Sequence, residues 1–242
     1  MTDIPDQPQR TPSDTELTET GLAPPGAAKT LFLACGALAR EIIELKRLNG
    51  WHHVDLACLP AILHNAPDRI PEAVRAAVEQ NRDRYDAIHV VYADCGTGGR
   101  LQATCEALGV SLVAGPHCYA FFDGLERFAA RDEMTAFYLT DFLVRQFDAF
   151  VWKPLGLDRH PSLRDMYFAH YERVIYLAQV DDPALDAQAA AHAARLGLSY
   201  ERRLTGFGDL AKTLAQWAAQ DPSRASRNTT ETGTSANASS RS

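Results

Sequence analysis

A chain of 242 residues, 46% of them hydrophobic, has enough apolar side chain to fill one substantial core. Its net charge of -7, with no Lys/Arg run in the expected core, excludes a nucleic-acid surface, which needs clustered cations to displace counterions. No stretch approaches the ~20 apolar residues of a spanning helix and no basic start precedes an apolar run, so a cytoplasmic protein with no membrane partner is expected.

Pro5, Pro8, Pro12, Pro24 and Pro25 stand among polar residues at the start, and small polar residues fill the end. Residues 1–28 and 220–242 are therefore expected to be disordered tails, because neither stretch can bury enough apolar surface to offset the entropy of ordering. A single α/β domain is expected over 29–219.

Within it, Thr30 to Ala34 is an apolar run of the kind buried on both faces, and Leu38, Ile42, Ile43, Leu45 and Leu48 then follow at helical spacing up to Asn49-Gly50. Val54 to Ala57 is a weaker second strand that runs into Cys58 and His64. Ile70-Pro71 opens a helix, with proline in the first turn where its missing N–H costs little. Ile88 to Tyr92 is the third strand, followed by the loop Asp94-Cys95-Gly96-Thr97-Gly98-Gly99-Arg100 and a helix that stops at Gly109. Val110 to Val113 is the fourth strand and leads to Gly115-Pro116-His117-Cys118.

From Ala120 to Phe150 the pattern is helical and aromatic, and it is assigned mainly to the core. Val174 to Ala178 and Leu198 to Leu204 complete the strands, each followed by a helix. Strands alternating with helices predict an α/β fold of three layers: a mostly parallel sheet of about five to six strands with helices on both faces.

Ligands of such sheets bind at the carboxyl ends of the strands, and Cys35, Cys95 and Cys118 each stand directly after a separate apolar strand. The five cysteines cannot all pair, and a reducing compartment disfavours disulfides, leaving metal ligation, catalysis or packing. Cys35, Cys95 and Cys118 are the candidate thiolate ligands, completed by His64 or His117, a donor set that suits zinc with one position open. Cys105, inside a helix, is assigned to the core.

The glycines of the 94–100 loop precede a helix, so the backbone N–H groups of Gly96, Thr97, Gly98 and Gly99 are expected to converge on a bound anion or cofactor. The same position makes Cys95 a candidate nucleophile activated by the helix N-terminus, with His117 as its base and Asp123 orienting that imidazole. Asp141, a carboxylate among apolar residues, needs a partner, and Lys153 and Arg145 are the nearest in sequence.

The segments LFLACGAL, LPAILHNAPDRIPEAV, VVYADCGTGG, GPHCYAFFDG and FYLTDFLVRQFD, in that order over roughly Leu31 to Leu210, resemble the bacterial and archaeal family catalogued as domain of unknown function 1638. The resemblance implies a compact α/β protein and supplies no established reaction. It also implies a setting beside corrinoid-dependent methyltransferase systems for methylated amines, where a metal-bound thiolate carries a methyl group. Three readings follow. The first is a zinc enzyme acting on a small molecule in methyl-group or one-carbon metabolism. The second is an iron–sulfur or metal-carrying accessory protein whose partner is a corrinoid or methyltransferase protein, and the third is a metal-free cysteine enzyme.

Overall fold

Residues 11–220 are described by the computed structural model, and the first of them already depart from a loose tail. Helix α1 (Asp14–Glu19) is capped by Ser13, whose hydroxyl accepts the N–H of Glu16 at 3.2 Å, and it buries Leu17 completely. Leu22 then pairs antiparallel with Cys58. The N–H groups of Gly26, Ala27 and Ala28 converge on one carboxylate oxygen of Asp55, at 2.8, 2.9 and 3.2 Å. The proline-rich composition conceals these anchors, so the expected disorder is corrected over residues 11–28; residues 1–10 and 221–242 lie outside the described residues.

Strand β1 (Thr30–Cys35) is buried along its whole length, and its alternation divides the first half of the molecule. Leu31, Leu33 and Cys35 face one side, while Phe32 and Ala34 face the other. A 3₁₀ turn at Gly36–Leu38 leads to α2 (Ala39–Asn49), which Gly50 ends in a left-handed conformation. Gly36 is required by close approach, because a Cβ there would stand 2.2 Å from the carbonyl oxygen of Leu17.

Strand β2 (Val54–Leu59), a 3₁₀ turn at Ala61–Asn65, α3 (Ile70–Asn81), β3 (Ala87–Val91), α4 (Arg100–Leu108) and β4 (Ser111–Leu112) follow. All pair parallel in the order β2-β1-β3-β4, so β1 donates and accepts on both edges. Val74 and Val78 of α3 and Leu101 and Cys105 of α4 cover the face of Leu31 and Leu33. Ile42 and Leu45 of α2 cover the opposite face together with Leu210 and Leu214 near the end of the chain. Cys105 is core, as its place in a helix predicts.

The second half starts with α5 (Cys118–Asp123) and α6 (Leu125–Arg131) and builds its own parallel sheet. Its strands are β5 (Ala136–Thr140), β6 (Arg173–Ala178) and β7 (Ser199–Leu204), in that order. Between β5 and β6 run α7 (Asp141–Arg145), a π-helical turn at Asp148–Trp152 and α8 (Leu163–Tyr167). Helix α9 (Pro183–Leu196) packs Leu185, Ala189 and Ala193 against Val174 and Tyr176, and α10 (Gly208–Ala219) crosses back to the first sheet.

The three-layer α/β expectation holds, with helices on both faces of a parallel sheet, but the seven strands of the described residues divide into two sheets. The missed strand is β5, inside the aromatic stretch assigned to helix. Phe137-Tyr138-Leu139-Thr140 is rich in strand formers, yet a short apolar run carries no periodicity that separates strand from helix.

Candidate metal centre

Sheet order decides what meets at the carboxyl edge. Strands β3 and β4 are neighbours, and their pairing continues past their ends: the N–H of Asp94 donates to Gly115 O at 3.0 Å and that of Cys95 to Pro116 O at 3.1 Å. This carries Cys95 to the first residue of α5, where its sulfur stands 3.8 Å from that of Cys118. Cys95 itself has φ +50°, a left-handed conformation uncommon outside glycine.

His64 comes from the far side. Strand β2 is separated from β3 by β1, and the 3₁₀ turn at Ala61–Asn65 folds the imidazole back over the end of β1, where it lies face to face with Tyr92 (centroids 6.4 Å apart, 11° between planes). Its Nδ1 stands 3.1 Å from the carbonyl oxygen of Ala61. A carbonyl only accepts, so Nδ1 carries the proton and Nε2 is left to bind a ligand, the arrangement usual for a metal-bound histidine. The donor atoms of His64, Cys95 and Cys118 lie within 4.8 Å of one another, a group that can hold a metal ion.

Cys35 is corrected from ligand to neighbour. Its strand does adjoin β3, but as the last residue of β1 it shares the face of Leu31 and Leu33, and its sulfur accepts the N–H of Ala37 at 3.3 Å. From there it reaches the Nδ1 side of His64, at 3.6 Å, and stays outside the three-residue group. His117 is also outside the group. It is the extended residue before α5 (φ -146°, ψ 154°), and its ring leans on Tyr119 at 5.4 Å between centroids.

Asp123 does not orient His117. It is buried against Arg131, Oδ1 to nitrogen 3.2 Å, and its Oδ2 has no partner. The anion cradle expected of Gly96, Thr97, Gly98 and Gly99 is likewise taken by the chain itself. Asp94 accepts the Thr97 hydroxyl at 2.7 Å and the N–H groups of Gly98 and Gly99 at 3.1 and 2.7 Å. Arg100 turns to Asp68. Asp141 finds neither Lys153 nor Arg145 by hydrogen bond; it accepts from the Tyr176 hydroxyl at 2.7 Å and from the N–H groups of Gln179 and Val180 at 3.0 and 3.2 Å.

The thiols and imidazole polarise one another. The Cys118 thiol donating to Cys95, helped by the His64 contact, outweighs burial and holds the Cys95 thiol down at about 5. Cys118 is pushed well up, by the same bond and by burial. Burial alone would discharge His64, but the neighbouring sulfurs of Cys35 and Cys95 reverse this and raise it well above the ordinary imidazole value. Without metal, the centre therefore holds a Cys95 thiolate beside an imidazolium and a neutral Cys118 thiol.

Sequence reasoning missed the room around this group. A cavity of about 370 Å³ opens over His64, Cys95 and Cys118, and its far wall comes from the second half: Phe137 and Tyr138 of β5, Phe142 of α7 and Phe150 of the π-helical turn. The density of aromatics over 119–150 was the available signal; assigning them to the core left the wall out.

Fold and site together define an α/β protein of two parallel sheets with a His/Cys group at a carboxyl edge that could hold a metal ion. The chain belongs to the family described as protein of unknown function (DUF1638), whose family model matches residues 58–214, more than half of the chain. The matched segment includes His64, Cys95 and Cys118. No curated protein and no solved structure matches the chain. Among the described residues, no helix is long and apolar enough to cross a membrane.

Proposed function

We propose that His64, Cys95 and Cys118 hold one zinc ion and that the protein uses it to act on a small molecule bound in the adjoining cavity. One observation carries this reading: the two sulfurs stand 3.8 Å apart, and two thiolates on one tetrahedral zinc, each at ~2.3 Å, stand roughly that far apart. Three protein ligands leave a fourth position for a substrate, as catalytic zinc sites do. Bound there, the metal would act as a Lewis acid that lowers the pKa of a coordinated nucleophile. The residues themselves supply the rest: Ala61 fixes the imidazole tautomer, and the Asp94 loop holds Cys95 in place. The methyl-group setting implied by the family resemblance is compatible with such a centre.

Two cysteines and one histidine suit a single ion better than an iron–sulfur cluster, which takes four thiolates or a cysteine–histidine mixture of four. The metal-free reading has its own support in the low-lying Cys95 thiol beside His64. Elemental analysis of protein purified without added metal separates the two. About one zinc per chain in the wild type, lost in folded Cys95→Ser and Cys118→Ser, is expected; a folded, metal-free wild type that takes up none on addition overturns the proposal.

A further inference from the structure

The cavity carries information about its ligand beyond the metal group. Among the described residues, no Asp, Glu, Lys or Arg lines it. Tyr138 and Tyr119 contribute ring faces, stacked with centroids 5.7 Å apart, and the Tyr138 hydroxyl is turned outward, donating to Glu133 at 2.7 Å. Glu133 is in turn neutralised by Arg203 at 2.7 Å, so the charged groups behind that wall cancel. Of the remaining polar side chains, Asn65 donates to Ala149 O at 3.4 Å, Thr140 accepts the N–H of Leu143 at 3.4 Å, and His117 lies ring to ring with Tyr119 at 5.4 Å between centroids.

A phosphate, carboxylate or sulfonate would therefore lose water here and find no Lys or Arg to pair with, a costly exchange. The metal group is the anchor of this cavity that selects for a metal-binding atom. Resting on the metal reading above, we infer that the cavity binds a small uncharged thiol, its sulfur on the metal and its apolar or aryl body between the aromatic walls. A thiol fits better than an alcohol. With a pKa of about 8.5, near that of a free cysteine, it needs far less help than an alcohol to ionise at neutral pH. On binding, the S–H bond breaks, the sulfur lone pair goes to the metal and the proton goes to solvent. A volume of about 370 Å³ suits a small ligand.

The test uses the full chain loaded with cobalt(II), whose sulfur-to-metal absorption reports both loading and ligand binding. Thiophenol, 4-mercaptobenzoate and phenol are titrated in turn. Thiophenol is expected to bind at least about tenfold more tightly than either of the others. Asn65→Lys, an exposed position at the cavity, is expected to narrow the gap between thiophenol and 4-mercaptobenzoate by supplying the missing cation. Equal or tighter binding of 4-mercaptobenzoate by the wild type overturns the uncharged ligand, and equal binding of phenol overturns the thiol. Cobalt-loaded protein that binds none of the three overturns this inference and leaves the metal reading standing, whereas folded protein that takes no cobalt overturns both.

Discussion

The carboxylate of Asp94 accepts the backbone N–H of Gly99 at 2.7 Å, closing the loop after β3 around its own first residue. The same side chain takes Thr97 and Gly98, which leaves Cys95 fixed in its left-handed conformation between a held carboxylate and a held backbone. Three hydrogen bonds to one charged group thus aim a single sulfur.

Asp94→Ala is expected to cost about 1–3 kcal/mol in urea unfolding, since it strands the Thr97 hydroxyl and two amides. It is also expected to weaken zinc about 10–100-fold in chelator competition, the usual loss when a group supporting a ligand is removed. Asp94→Asn, which keeps one acceptor, recovers part of both.

Metal removal should destabilise the fold. Zinc at 100 times its Kd is expected to add about 2.7 kcal/mol, raising Tm by roughly 5–10 °C in a chain of this size, and a chelator should reverse it. The shift disappears in Cys118→Ser, where differential scanning calorimetry with and without zinc gives the same Tm.

Zinc binding at pH 7 should release about two protons, one from the raised Cys118 thiol and one from the raised His64. Affinity consequently increases with pH through the neutral range. Calorimetric titrations in buffers of different ionisation enthalpy count the protons, and a count near zero would contradict the protonation pattern.

In metal-free protein Cys95 is ionised above about 5, so its alkylation rate should already be on a plateau at neutral pH, where an ordinary thiol is still climbing. Cys118→Ala removes the bond that contributes most to that shift and moves the profile upward. Iodoacetamide labelling followed by peptide mass analysis reads both profiles.

Glu41 is 4% exposed and its Oε2 has no partner; burial, opposed in part by Arg145 and Arg40, raises its pKa to about 7. In the unfolded chain it titrates near 4.5, so between these values the folded state holds the proton more tightly and stability falls as pH rises. Glu41→Gln is expected to stabilise the protein at pH 8 by on the order of 3 kcal/mol and to change little at pH 4, as measured by urea unfolding at each pH.

The strands that carry the site were legible because β1, β3 and β6 are buried on both faces and read as unbroken apolar runs, each ending in a turn. Cys95 and Cys118 followed from strand ends, which are a property of sequence. Cys35 could not be separated from them that way: which face the last residue of a strand presents, and whether it caps the next turn, depends on the register of β1 between two neighbours. The glycine loop did contain its own answer. An Asp followed by Thr at the third position and glycines beyond is the pattern of a side chain that binds the backbone of its own turn. Leu17 and Leu22 were hidden by composition, since isolated apolar residues among prolines carry no periodicity.

The matched family segment starts at residue 58, after β1 has ended at Cys35. Strands β2 and β3 do not touch; each is bonded to β1, which lies between them. A fragment cut at that boundary would lose β1 and all of β2 but Cys58 and Leu59, and would present the bare edge of β3 to other chains. Such a fragment is expected to aggregate, while the chain from residue 11 onward retains every strand of the described residues and the helix packed against Gly36.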